Sequence, residues 1–261
     1  MRSARSCMNA SSEPERRYRA LVGYDGTDFL GYQLQAQGRT VQGEIEKVLK
    51  KVTQRDIRID AAGRTDAGVH ATGQVIAFNS GWKHSLNDLH RALNATLPVD
   101  IVISDLEIVA DSFHPRFEAL SRSYQYTIIN QLWPSVLDRR YAYHVKDKLD
   151  VVAMRQASRF LLGSYDFASF GKAPQGENTV RQVMRAEWVV RGKRLIFEIT
   201  ANAFLYRMVR TIVGTLVQVG LGQLAPVEIK RILEARDLSQ SAPPAPAHGL
   251  CLVRVTYPEN T

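Results

Sequence analysis

The sequence predicts an α+β fold in which the chain runs strand, helix, strand, strand, helix, strand, and then does so again. Three observations carry this. Alternating or continuous apolar runs recur at strand length, apolar residues at helical spacing separate them, and caps or turn residues punctuate the joins. The order βαββαβ is the ferredoxin-like pattern, so two tandem units are expected, although no repeat of residues accompanies the repeat of elements. Side by side they would form one extended mixed, mostly antiparallel sheet with helices on one face, leaving the other face or the seam free for a ligand.

Arg19 to Tyr24 is a short apolar strand leading into the turn-rich Asp25-Gly26-Thr27-Asp28. Thr40 is placed to cap a helix whose buried stripe is Val41, Ile45, Val48, Leu49 and Val52. Ile57 to Ala61 reads as a strand, residues 63–68 as a loop, and Thr72 to Phe78 as another strand. Ser85 caps a second helix with Leu86, Leu89, Ala92 and Leu93 facing inward, and Pro98 marks its end before the strand Ile101 to Val109.

The second half follows the same order. Ala119 to Ile129 alternates as a strand, which puts Tyr124 and Tyr126 on one face. After a loop containing Trp133 and Pro134, Val151, Met154, Ala157, Phe160 and Leu161 form a helical stripe. Gln182 to Thr200 reads as a hairpin turning at Arg191-Gly192-Lys193. A long apolar helix is expected over Leu205 to Val219, ending at the Gly220-to-Ala225 stretch, and a shorter helix opens at Pro226. A Pro/Ala-rich loop then leads to the last strand, Leu250 to Tyr257.

The chain has 261 residues, enough for a sizeable core in one large domain or two fused halves. Residues 1–17 carry Arg, Ser, Asn and Glu without an apolar run and read as a disordered extension, not a secretory signal. The halves are then 18–112 and 113–261. A net charge of +8 points to a polyanionic partner, nucleic acid first. Of the 34 basic side chains 25 are Arg, whose planar guanidinium suits phosphate forks and base stacking. With only Cys7 and Cys251, no disulfide framework and no cysteine zinc site is available, which fits a reducing cytoplasm. The apolar stretch Ile212 to Leu224 is interrupted by polar residues and too short to span a bilayer, so a soluble protein without membrane contact is expected.

The densest polar constellation is Gly63-Arg64-Thr65-Asp66-Ala67-Gly68-Val69-His70, a loop between two strands. Its glycines permit a tight path that would present Asp66 beside Arg64. A turn in which Asp66 only bonds neighbouring N–H groups fits the spacing equally well. Asp66 and His70 are four apart, but the intervening Gly68 and Val69 argue against a helical metal pair, and no metal site is expected. His114 reads as an RNA contact or, somewhat better, as a turn cap, and Arg116, Arg122, Lys172, Arg181 and Arg185 as candidate RNA contacts or solvated surface.

Residues 63–71, GRTDAGVHA, resemble the signature of the TruA-type tRNA pseudouridine synthases. Companion segments run in the same order: YDGTDFLGYQLQ from Tyr24, TVQGEIE from Thr40, FHPRFEALSRSYQY from Phe113, NAFLYRMVRTIVG from Asn202 and AHGLCL from Ala247. The resemblance spans Tyr18 to Tyr257, and it departs from the family mainly in the N-terminal extension and around Leu132 to Arg140.

The resemblance implies an isomerase that turns uridine into pseudouridine at positions 38, 39 and 40 of the tRNA anticodon stem-loop, in a cleft at the seam of the halves. It implies that Asp66 is the catalytic aspartate, that Tyr124 stacks on the target base, and that Arg210 pairs with the aspartate. Arg64 would enter the space left by the extruded nucleotide and Leu252 would line the pocket. Arg207, three residues before Arg210 on the expected helix, and His70 at the end of the loop join the substrate-binding candidates. No cofactor is implied, because the reaction moves one base on its own sugar. The partners implied are tRNA and a second copy in a homodimer.

Overall fold

The computed structural model describes residues 15–174 and 176–259. Its elements are β1 (Arg16–Tyr24), α1 (Val41–Thr53), β2 (Asp60–Ala61), β3 (His70–Ser80), α2 (Leu86–Thr96), β4 (Ile101–Val109) and β5 (Ser121–Asn130). There follow β6 (Tyr143–Val145), α3 (Val151–Arg159), β7 (Gly163–Asp166), β8 (Val180–Arg191), β9 (Arg194–Ala201), α4 (Met208–Gly220), α5 (Glu228–Ala235) and β10 (Leu250–Thr256). The strands form one mixed sheet in the order β4-β1-β3-β10-β5-β9-β8-β7, with β2 pairing β3 and β6 pairing β5. Pairing is antiparallel except for β10 with β3 and β5 with β6.

Local chemistry accounts for the helix starts. The Thr40 hydroxyl accepts from Gly43 N–H and that of Ser85 from Asp88 N–H, each cap contributing about 1 kcal/mol. Helix α4 ends at Gly220, with Gly222 beyond it at φ +72°. The β8–β9 hairpin turns through Gly192 at φ +59°.

Two large cores lie against the sheet. Tyr18, Ala20, Val22 and Tyr24, alternate residues of β1, pack with Ile45 and Leu49 of α1 and Leu89 and Leu93 of α2. Tyr126 and Ile128 of β5 pack with Met154 of α3 and Ile212, Val213 and Leu216 of α4. Strand β10 contributes Leu250 to the second core and Leu252 to the first, and the half-buried Tyr124 packs against both. The sheet is therefore continuous where the cores meet.

Three expectations are corrected. Residues 1–14 of the expected extension lie outside the described residues, but Arg16 and Arg17 belong to β1. Arg17 is held by Asp60 at 2.6 Å and by the Phe113 carbonyl at 3.1 Å. The strand expected over Ile57 to Ala61 shrinks to two residues. Ile57 and Ile59 are buried, but Ile59 N–H bonds the Glu46 carboxylate of α1 and not a strand partner, so burial mimics a ladder there. Helix α4 begins at Met208, three residues late, because Tyr206 forms a β-bridge with Lys172 and Arg207 sits at φ +63°. Strands β6 and β7, three and four residues long, are too short to show in the periodicity. No helix of the described residues is long and apolar enough to cross a membrane.

Candidate active site

The loop ahead of β3 is held from several sides. Gln74 donates to the Gly63 carbonyl at 3.0 Å, the Tyr24 and Thr65 hydroxyls share a buried 2.8 Å bond, and Tyr32 N–H donates to the Thr65 carbonyl at 3.0 Å. Val69 N–H closes a turn on the Asp66 carbonyl at 3.1 Å. Gly26 packs so closely on this loop that a Cβ there would lie 2.0 Å from the Val69 carbonyl oxygen. Tyr24, Tyr32, Thr65 and Gln74 carry no charge; the first three lie within the motif segments 24–35 and 63–71, but what each does to hold the loop is visible only as contacts.

So held, the loop presents Asp66 to α4. Arg210 Nη1 donates to Asp66 Oδ2 at 3.0 Å, with the side chains 16% and 23% exposed. Arg210 is itself fixed, since its Nε donates to the Ala245 carbonyl at 2.8 Å and its own carbonyl accepts from Ala245 N–H at 2.9 Å. Tyr124 of β5 stands in register with Leu252 of β10 and Ile199 of β9, its ring edge-on to Phe204 at 5.0 Å. Burial pushes its phenol well above the ordinary value, Arg122 opposes this and Asp66 adds to it, so Tyr124 is neutral at physiological pH. Leu252 is 1% exposed.

The other expected site residues divide. Arg64 is exposed, and no hydrogen bond or ion pair holds it among the described residues. Arg207 is also exposed; it lies before α4 and not on it, with its guanidinium 4.9 Å from the centre of the Tyr206 ring. His70 is buried with both nitrogens bonded to backbone groups: Nδ1 to Gly26 N–H at 3.0 Å, and Nε2 to the carbonyls of Arg140 and His248 at 2.9 and 3.2 Å. Arg122 turns its guanidinium to the carbonyls of Ala62, Arg116, Ala119 and Asn202, and Arg185 pairs with Glu187 and Glu198. Both are engaged within the fold. His114 Nδ1 accepts from Arg116 N–H at 3.1 Å, as a turn cap does.

Two concavities, of about 880 and 460 Å³, include Arg19, Thr72 and Arg254 in the first and Asp25, His70 and Tyr141 in the second. Neither is lined by Asp66, Tyr124 or Arg210. The carboxylate paired with a guanidinium beside an aromatic ring is the more informative arrangement.

Such a pair, on a chain of net charge +8, points to the class of enzymes that act on a planar ring within a polyanion. The comparisons give the family within that class. A family model described as tRNA pseudouridine synthase matches residues 20–118 and 157–258, and the chain belongs to that family, whose members isomerise uridine to pseudouridine. The tRNA pseudouridine synthase A of Moorella thermoacetica is 45% identical over 239 residues, covering 90% of this chain and 97% of the relative. Those of Thermosipho melanesiensis and Pseudothermotoga lettingae are 44% and 42% identical over 244 residues, each covering 93% of this chain and 100% of the relative. Among solved structures, a chain of the archaeal box H/ACA Nop10–Cbf5 complex aligns at 12% identity over 77% of this chain and 42% of its own, with a TM-score of 0.32. That likeness is too slight to add to the assignment.

Proposed function

We propose that this chain converts uridine to pseudouridine at positions 38, 39 and 40 of the tRNA anticodon stem-loop, with Asp66 as the catalytic carboxylate. The observation that carries the reading is the Asp66–Arg210 pair at 3.0 Å, in which a conspicuous loop meets a cation from a distant helix.

The reaction breaks the bond between N1 of the base and C1′ of the ribose, rotates the freed base and joins its C5 to C1′, after which C5 loses a proton and N1 takes one up. No electron is gained or lost, and no group enters from outside. The base first leaves its stack at a cost of a few kcal/mol. Stacking on Tyr124 returns about 1–3 kcal/mol of this. Arg64, exposed and unpaired among the described residues, fills the gap and neutralises phosphate. Asp66 attacks the sugar or removes a sugar proton, and in either route stabilises the positive charge developing at C1′. Arg210 orients the carboxylate. Tyr124 is neutral, so the C5 proton goes to water or to a group relayed through the phenol, and not to a resident phenolate. Serving three adjacent positions requires recognition by shape and backbone.

The same reading takes the halves 18–112 and 113–261 as tandem ferredoxin-like units with helices on one face and the cleft at their seam. The strand orders β4-β1-β3-β2 and β10-β5-β9-β8 support it, as does Tyr124 touching both cores. It also takes the protein as a cytoplasmic homodimer. The test is tritium release from tRNA transcripts carrying 5-tritiated uridine. Release by the native protein and none by Asp66→Ala is expected; binding without release by the native protein would overturn the reading.

A further inference from the structure

Resting on that reading of Asp66, we infer that His70 is a positioning residue that sets the catalytic carboxylate against Arg210 through the backbone segment 245–249, and is not a substrate contact. The side chain is 7% exposed, and its surroundings dictate one tautomer. Gly26 N–H points at Nδ1, which must accept, while two carbonyl oxygens face Nε2, which must donate. A ring with its proton on Nε2 satisfies these three backbone partners. Asp25 Oδ1 stands 3.1 Å from Nδ1 but is already held by Thr27 N–H and hydroxyl, and Asp25 Oδ2 accepts from the Tyr141 hydroxyl. Burial acts to raise the Asp25 pKa; these hydrogen bonds, together with the adjacent His70, outweigh it and hold the carboxyl below its ordinary value, so the carboxylate persists beside the ring.

The acceptor His248 belongs to the segment that holds Arg210. Ala245 exchanges bonds with the Arg210 Nε and carbonyl, the Tyr126 hydroxyl donates to the Pro246 carbonyl at 2.7 Å, and the His248 carbonyl accepts from His70. Gly249 lies so close to Tyr126 that a Cβ would stand 2.6 Å from its ring, and Ala247 packs on Gly68. A closed circuit results. It runs from Asp66 along the chain to His70, through Nε2–H to segment 245–249, through Ala245 to Arg210, and through the guanidinium back to Asp66. The His70 bond is the side-chain hydrogen bond between catalytic loop and bracket, added to the Gly68–Ala247 packing and the β3–β10 pairing, and misplacement of a reacting group by about 1 Å costs on the order of a hundredfold in rate.

The experiment is steady-state tritium release with full-length tRNA transcript on the native protein, His70→Phe, His70→Gln and Tyr126→Phe, with thermal melting of each. His70→Phe is expected to lower kcat about tenfold to a hundredfold with KM within about twofold of native. His70→Gln places an amide N–H where Nε2–H was and is expected to recover most of kcat. Tyr126→Phe, which releases Pro246, is expected to lower kcat in the same sense by less. A raised KM with native kcat in His70→Phe would return His70 to substrate contact and overturn the inference, as would native kcat and KM together. Should His70→Phe not fold, the other two variants decide: native kcat in Tyr126→Phe, or no advantage of a folded His70→Gln over its loss, overturns it. Absence of release by the native protein overturns the proposed function itself and is distinguishable from every variant result.

Discussion

Arg210 reaches Asp66 across 144 positions of chain, joining the loop before β3 to the first turn of α4 at 3.0 Å. Ala245 holds the arginine side chain, and the turn closed by Val69 holds the backbone of the aspartate. A pair held from both sides has its orientation set before substrate arrives.

Replacing Arg210 with Met keeps the aliphatic volume and removes the charge. Because Asp66 is 23% exposed, water can solvate the carboxylate left behind, and the variant is expected to remain folded. Tritium release is expected to fall on the order of 10²–10³-fold. Near-native turnover in a protein with an unchanged melting profile would contradict the role given to Arg210.

Arg64 has no partner to lose within the described fold, so Arg64→Ala should leave stability within about 0.5 kcal/mol. Its effect belongs to RNA. The slope of log affinity for tRNA against log salt is expected to flatten by about 0.7–0.9, as for one phosphate contact. Identical slopes for the two proteins would remove Arg64 from the interface.

Gly26→Ala drives a Cβ to 2.0 Å from the Val69 carbonyl oxygen, a clash of backbone against backbone that no rotamer change relieves. A loss on the order of 3 kcal/mol in urea unfolding is expected. Gly63→Ala is the control: a Cβ there has nothing within 4 Å, and its cost should be below about 1 kcal/mol. Equal midpoints for the two variants would refute the packing argument.

Stability should fall in alkali. Burial raises the phenols of Tyr24, Tyr32, Tyr124, Tyr126 and Tyr257 above their ordinary 10.0, so above that pH the unfolded chain releases protons that the folded chain retains. With fewer protons on the unfolded state, the slope of unfolding free energy against pH is negative. The contribution is whole below about pH 10 and is lost as pH rises towards the folded values, at up to about 1.4 kcal/mol per pH unit for each phenol. Urea midpoints measured from pH 8 to 11 check this, and a midpoint flat across that range would exclude it.

Legibility followed the range of the interaction concerned. The caps at Thr40 and Ser85 and the turn at Gly192 were readable because a hydroxyl three residues from an N–H, or a glycine between two strands, acts within its own segment. The start of α4 was not. Leu205, Tyr206 and Arg207 continue the apolar spacing of a helix, yet Tyr206 pairs with Lys172, more than thirty residues away, and that bond has no local signature.

By itself the sequence determined the α+β alternation, the basic surface and the loop 63–70 as the place to look, since composition and periodicity report what each segment must bury or expose. Apart from the Asp66–Arg210 pair, which the family resemblance implied, only the tertiary structure decided which of the marked residues meet. It set Tyr124 where the two cores join, turned Arg122 inward to four carbonyls, and directed both nitrogens of His70 to backbone groups. The reason is geometric: a side chain's type limits what it can bond, but only the path of the chain determines which partner lies within 3 Å of it.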